Sequence, residues 1–352
     1  MIITILAFLA VLAVLIIAHE LGHFSTAKVF GVKVEEFGVG FPPRLLSIKR
    51  GETRYSLNAI PLGGFTKMLG EEDPKEPRSL ASKNAGIRIL VLSAGSLMNA
   101  LLPLLLFSIA FMVPHNALIG EVGVKEVVPN SPAAMAGIES GDIILSVNEQ
   151  PVHNVSDLHR YIQLNLGKKT TIAISHSDSA TEEVQLIPRW KPPEGQGATG
   201  ILVSTLNPTI VSQSEPFWRA IPLGVKECIE TFILFKNAIL GLFIGIETFQ
   251  VGGPVAIAQI TGEVAKAGIS PLLEFAAFLS INLAIINIFP LPALDGGRII
   301  FVLLEWVRRG KRIPPRTEGL IHGIGFALLI AAMLAITYQD IIRIVSGESL
   351  IP

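Results

Sequence analysis

Apolar residues gather into long runs toward both ends of the chain and alternate with polar ones across its middle. Ile2–Ala18 is apolar except for Thr4, and the pattern continues past His19, Glu20 and His23 to Phe30. At about 1.5 Å per residue, such a run crosses a hydrocarbon core of about 30 Å. Its first basic residue is Lys28, so it lacks the charged opening of a signal peptide and a spanning helix is expected. Further runs cover about Ile87–Val113, Leu272–Phe289 and Leu320–Tyr338. The third of the four runs ends at Pro290 and Pro292, which break or bend a helix. Thr231–Phe249 is also apolar, but Lys236, Asn237, Glu247 and Thr248 interrupt it.

Composition agrees with a membrane protein. Half the chain is hydrophobic, 16% is charged, and the mean hydropathy is +0.56; a soluble domain carries roughly 25% charge. Lys+Arg at 28 against Asp+Glu at 29 leaves no basic excess for nucleic acid. The lone cysteine, Cys228, excludes an internal disulfide framework. Of the 28 basic residues, 17 fall in two stretches, Lys28 to Arg88 and Arg298 to Arg316. The positive-inside rule makes both cytoplasmic, giving four spans with the chain ends and Gly120–Pro208 outside. A crossing at Thr231–Phe249 would throw the Arg308–Arg316 cluster outside, so that segment is expected to be an interfacial or bundle-packed helix.

The middle alternates on a shorter scale. Expected are a strand over Glu121–Val128, a helix from Ser131 to Gly137, a strand over Ile143–Val147, and a helix capped by Ser156 and ending near Gly167. Strands Thr170–Ser175 and Glu182–Ile187 then close the unit, and Pro188–Gly195 leads away as a linker. The run Val128-Pro129-Asn130-Ser131-Pro132-Ala133-Ala134, with Ala136-Gly137-Ile138 and Gly141-Asp142-Ile143-Ile144, resembles the bacterial PDZ domain. That resemblance implies an extended peptide added to a sheet edge; a small α/β module without a peptide partner is the alternative.

The chemistry concentrates at His19-Glu20-Leu21-Gly22-His23. Residues i and i+4 share a helix face, so both imidazoles can bind one metal ion with Glu20 beside them as general base, the HExxH arrangement of zinc peptidases. Inside an apolar span, ionisable groups are costly and functional. A catalytic zinc needs a third protein ligand. His115, His153, His159 and His176 fall in or beside the middle unit, and His322 reads as structural. Asp295 is the only acidic residue between Leu283 and Arg298 and follows the broken third span. A helix cap before Gly296 is its other reading. The third span runs in the same direction as the first, so the depths of Asp295 and His19–His23 match.

HELGH in the first span, the PDZ-like insert, and Asn-x-x-Pro-x-Pro-x-x-Asp-Gly from Asn287 to Gly296 together resemble the bacterial site-2 proteases. These are intramembrane zinc metalloproteases that include the sigma-factor-regulating proteases. The resemblance extends to Phe37–Pro43 and Tyr55–Phe65, where the family has a membrane-dipping β element beside the zinc. It departs at Ser96, where the family often has proline before its second-span asparagine, here Asn99, and only one PDZ-like unit is present.

The expected fold is therefore a polytopic α-helical membrane protein with four transmembrane helices, a membrane-associated β element and an inserted extracytoplasmic α/β PDZ domain. The expected divisions are 1–114 (two spans and β loop), 115–200 (PDZ), 201–270 (linker and interfacial helix) and 271–352 (two spans with Asp-Gly). The implied activity is hydrolysis of peptide bonds in transmembrane segments in the bacterial cytoplasmic membrane, near the cytoplasmic side. Anti-sigma factors and remnant signal peptides fit as substrates. A strand over Thr53–Asn58, including Tyr55 and Leu57, is expected to pair by its edge with the unwound substrate. Asn282 and Asn287 stand either as holders of that peptide or as helix–helix hydrogen-bond partners. A zinc transporter would repeat polar residues through several spans, and an inactive scaffold would have no use for Glu20.

Overall fold

The computed structural model describes residues 2–71, 74–176, 181–245 and 252–346. In chain order they form α1 (Ile2–Val29), β1 (Val34–Arg50), β2 (Thr53–Met68), α2 (Ala85–Met112), β3 (His115–Val127), α3 (Pro132–Met135), β4 (Ile143–Val147), β5 (Gln150–Pro151), α4 (Val155–Leu164), β6 (Thr170–Ser175), β7 (Thr181–Leu186), β8 (Ile201–Gln213), α5 (Phe217–Ile244), α6 (Pro254–Ala267), α7 (Ile269–Ile288), α8 (Asp295–Val307) and α9 (Pro315–Ser346). Two compact units result: Met1–Ala110 with Ala220–Val225 and Val251–Pro352, and Phe111–Arg219 with Lys226–Gln250.

Among the described residues, α1, α2, α7 and α9 are the four helices long and apolar enough to cross a membrane, and they coincide with the four apolar runs. α5 is not among them; the Glu247 and Thr248 expected to interrupt it lie outside the described residues. Lipid offers no hydrophobic force between helices, so close approach depends on small residues. Gly22 supplies this on α1: a Cβ there would run into the Ala94 carbonyl of α2.

Two helices were not anticipated. α6 is 14 residues long, too short to span, and it packs along α1 with Gly262 against Thr4, the one polar break in the first apolar run. Its first turn is capped by Asp340 of α9, 2% exposed, whose carboxylate accepts the Ala256 N–H at 3.0 Å. α8 begins at Asp295 and takes up the first part of the basic stretch Arg298–Arg316. It is amphipathic, burying Val302 in a cluster with Ala27, Val32, Val91 and Leu92. Near its end Glu305 pairs with Arg88 and, at 2.9 Å, with Arg312.

The β element between α1 and α2 corrects the expected free edge at Thr53–Asn58. β1 and β2 are long enough to fold back on themselves, and Glu36–Val39 lies between two partners. Along one side it is in register with Arg54–Leu57, the numbers rising together; along the other it faces Lys67–Gly64, the numbers running oppositely. Arg54–Leu57 is also paired with Leu46–Lys49, so the middle of the Thr53–Asn58 segment is occupied on both sides. Gly64–Met68 is the outer strand on the side of α1: a Cβ at Gly64 would meet Ile16 and Glu20. At the tip, Glu52 accepts hydrogen bonds from Arg78 (2.7 and 3.0 Å) and Lys28 (2.7 Å). Those two cations pull its carboxyl down to about 2.

The second unit is a six-stranded sheet in the order β7-β6-β4-β3-β8, with β5 added to β4. Its core joins Val122, Val124, Ile144, Val147, Ile172 and Ile174 of the sheet to Ala133 of α3 and Leu158 and Ile162 of α4. Ser131 caps α3, accepting from Ala134 N–H. α4 is capped by Asn154 and not by Ser156: the Asn154 oxygen accepts the Asp157 N–H at 2.9 Å, and Asp157 returns a bond to the His153 N–H at 3.0 Å. This reciprocal pairing outweighs a single serine. The larger correction is β8. Residues 201–213, expected as linker, pair antiparallel with β3 from Val127↔Ile201 to His115↔Gln213. Pro208 argues against an interior strand, but an outer strand tolerates proline.

Candidate metal centre

The His19–His23 spacing does what helix geometry requires, placing both imidazoles on one face of α1 with Nε2 atoms 3.2 Å apart. The loop after α7 turns the chain back so that Asp295 opens α8 at the same point. Its Oδ2 lies 3.2 Å from each Nε2. Among the described residues this is the one group of His, Cys, Asp or Glu side chains able to hold a metal ion. Tetrahedral zinc with bonds of about 2.0–2.1 Å separates its ligand atoms by about 3.3 Å, so the three donors have the spacing of one face of that tetrahedron. Asp295 Oδ2 is buried without a well-formed hydrogen bond, as a ligand atom would be.

The surroundings favour the metal-ready form of each ring. His23 Nδ1 is 2.9 Å from the Val91 carbonyl, an acceptor, which fixes the proton on Nδ1 and frees Nε2. His19 Nδ1 is 3.4 Å from the Asn99 amide and 3.5 Å from that of Asn287. The Asn99 Oδ1 is otherwise buried without a partner; turned toward the ring, it accepts Nδ1–H and satisfies both groups. Space for an ion comes from Gly95 of α2, where a Cβ would overlap His23 Nε2 and lie 2.6–2.7 Å from His19.

Glu20 points to the same cavity, of about 330 Å³, lined by His19, His23, Gly64–Met68 and Asp295. Its Oε2 accepts the Thr66 hydroxyl at 2.7 Å, so the outer β strand aims the carboxylate. Removing that hydroxyl with Thr66→Val is expected to lower kcat about tenfold, the value of one hydrogen bond to a charged group. Zinc content should stay unchanged and Thr66→Ser should retain activity; peptide cleavage with metal analysis of each variant checks this.

The remaining expected site residues are dispersed. Asn287 reaches His19, whereas Asn282 is not drawn into the cluster. Thr53 spends its hydroxyl on the Val34 carbonyl (2.8 Å), and Asn58 donates to the carbonyls of Val39 and Gly40 (3.3 and 3.0 Å). Tyr55 and Leu57 line a separate hollow on the β element with Phe37, Leu46 and Ile48. Sequence reasoning passed over Gly95, Asn99 and Thr66 as parts of the site. The spacing of Gly95 and Asn99 by four residues within an apolar run was the available signal.

The chain matches peptidase family M50 across residues 7–332. It is similar to a Clostridium perfringens protein bearing the provisional name of zinc metalloprotease, 40% identical over 334 residues that cover 93% of this chain and 95% of the other. A Clostridium acetobutylicum protein with the same provisional name is 36% identical over 347 residues, 97% of each. The zinc metalloprotease RasP of Geobacillus kaustophilus is 29% identical over 425 aligned residues, 96% of this chain and 97% of RasP. The chain belongs to peptidase family M50, the site-2 proteases, whose members are zinc-dependent peptidases of the membrane.

Proposed function

We propose that this protein cleaves transmembrane segments of other membrane proteins, with zinc held by His19, His23 and Asp295 and with Glu20 as the acid–base residue. The observation that carries the reading is the 3.2 Å triangle of donors with Glu20 beside it, opening on the outer strand Gly64–Met68. Bound zinc supplies a Lewis acid that makes water acidic and polarises the scissile carbonyl. Glu20 takes the water's proton on its carboxylate and delivers it to the leaving amine. Thr66 keeps Glu20 oriented during that transfer. His23, tied to Val91, and His19, set by Asn99 and Asn287, hold their ring planes.

A substrate helix hides its carbonyls in its own hydrogen bonds and must be unwound first. Its bared backbone groups then need partners, at a cost of several kcal/mol each if unmet in lipid. The outer side of Gly64–Lys67, which among the described residues pairs with no further strand, lies next to Glu20 and offers them by strand addition, in place of the enclosed Arg54–Leu57.

The basic stretches Lys28–Arg88 and Arg298–Arg316 support a cytoplasmic position for the site and an outer position for the second unit. That unit reads as a PDZ domain whose groove lies between α4 and β8. A cavity of about 520 Å³ there is lined by Leu158, Ile162, Ile201 and Val203, and Leu234 and Ala238 of α5 form its far wall. The groove suits an extended peptide, such as the trimmed outer end of a substrate.

Asp295→Ala tests the metal reading. Zinc measured after dialysis of the purified protein is expected to fall to background, together with cleavage of a transmembrane peptide in proteoliposomes. Full zinc occupancy in that variant would remove Asp295 from the ligand set.

A further inference from the structure

The loop joining α7 to α8 carries Asp295 into position, and contacts from α9 hold that loop. Ala293, two residues before Asp295, sits at φ +76°, where the Cβ of an L residue crowds the backbone. Its N–H donates to Nδ1 of His322 at 3.0 Å. An imidazole that accepts at Nδ1 is neutral, with its proton on Nε2. Three residues further along α9, Gly325 presses on Pro292: a Cβ there would overlap Pro292 Cβ and come within 3.0 Å of its carbonyl. Phe301 of α8 packs against the imidazole, ring centroids 5.3 Å apart. No residue in the most apolar stretch of α9 is buried, so this grip is local and not part of a broad packed face.

The loop itself has little slack. A Cβ at Gly296 would collide with the carbonyls of Ile288 and Phe289, and one at Gly297 with that of Leu291. The left-handed turn at Ala293 is what lets the chain double back this tightly before α8 begins. If that turn relaxed, the displacement would pass to Asp295, and a shift of about 1 Å in a reacting group can cost about a hundredfold in rate.

We infer that His322 is a positioning residue for the metal centre: by accepting the Ala293 N–H, it holds the turn that brings Asp295 to His19 and His23. The inference rests on Asp295 being a zinc ligand. It gives α9 a part in the site although the helix contributes no ligand, and it explains a membrane histidine whose ring is engaged with backbone and not with metal.

The test compares wild type with His322→Ala, His322→Asn, Ala293→Gly, the His322→Ala/Ala293→Gly pair, and Asp295→Ala. For each, zinc affinity is read by competition with a chromophoric chelator, alongside the thermal midpoint, kcat and KM. His322→Ala should bind zinc about 10–100-fold more weakly, the usual effect of losing a group that orients a ligand, and lose kcat with little change in KM. His322→Asn, whose Oδ1 falls near the position of Nδ1, should regain most of both. Adding Ala293→Gly to His322→Ala should recover part of the affinity, because glycine adopts φ +76° freely. Wild-type affinity and kcat in His322→Ala, with Asp295→Ala devoid of zinc, would overturn the positioning role alone. Equal losses in the Ala and Asn variants, unrelieved by Ala293→Gly, would overturn it in favour of packing. Zinc retained by Asp295→Ala would overturn the ligand reading and the inference with it.

Discussion

Glu20→Gln is expected to abolish measurable cleavage, lowering kcat by about 10²–10⁴-fold, while leaving zinc bound. The amide is nearly isosteric with the carboxylate and still accepts the Thr66 hydroxyl, now 2.7 Å from Oε2. The three candidate donor atoms of His19, His23 and Asp295 are untouched. On the proposed mechanism, what is lost is the ability to take a proton from water and return it to the amine. Cleavage of a transmembrane peptide in proteoliposomes, with zinc determined on the same preparation, checks the expectation. Turnover near the wild-type rate would mean that the proton goes elsewhere. The same variant, inactive but fully loaded, is suited to trapping substrates in the native membrane.

The second large effect is expected from a residue with no side chain. Gly95→Ala adds a single methyl, and it falls on His23 Nε2 and within 2.6–2.7 Å of the His19 ring. The rings cannot both move away, because His23 is tied to Val91 through Nδ1 and His19 faces Asn99 and Asn287. Zinc affinity should drop by at least about 10–100-fold, and activity with it. Gly323→Ala is the control: it is also in a membrane helix, but nothing lies in front of its added methyl. Zinc titration of both variants distinguishes a lost ion space from general damage to the fold. Retention of wild-type affinity in Gly95→Ala would show that α2 yields at this point.

The parts of this protein that could be read in its sequence are those written locally. His19 and His23 are one helical turn apart, so their convergence follows from α-helix geometry alone. Asp295 was found differently, as a lone acid in apolar surroundings. The four spans follow from hydropathy, and β4 and β6 were bounded correctly because each is a short alternating run between turn residues. Gly95, Asn99 and Val91 act on histidines 68–80 positions away through the crossing of α1 and α2, and no local pattern reveals which faces meet.

The β element shows the same limit. The family resemblance implied a β element over Phe37–Pro43 and Tyr55–Phe65, but not that Glu36–Val39 would slot between two partners and leave Gly64–Met68 outermost. β8 was hidden by Pro208, which counts against a strand until its place at the sheet edge is known. α6 and α8 were missed because helices too short to span depend on a partner, α1 for one and the Val302 cluster for the other.

The pairing of His115 with Gln213 has a consequence for the architecture of the chain. Paired antiparallel residues have Cα atoms only about 4.5–5.5 Å apart, so the sheet is entered and left through a single doorway. A module attached in this way can be lengthened, doubled or exchanged during evolution without changing the distance that the flanking chain must bridge. The helical unit that carries the candidate metal centre and the sheet unit are thus free to diverge at different rates.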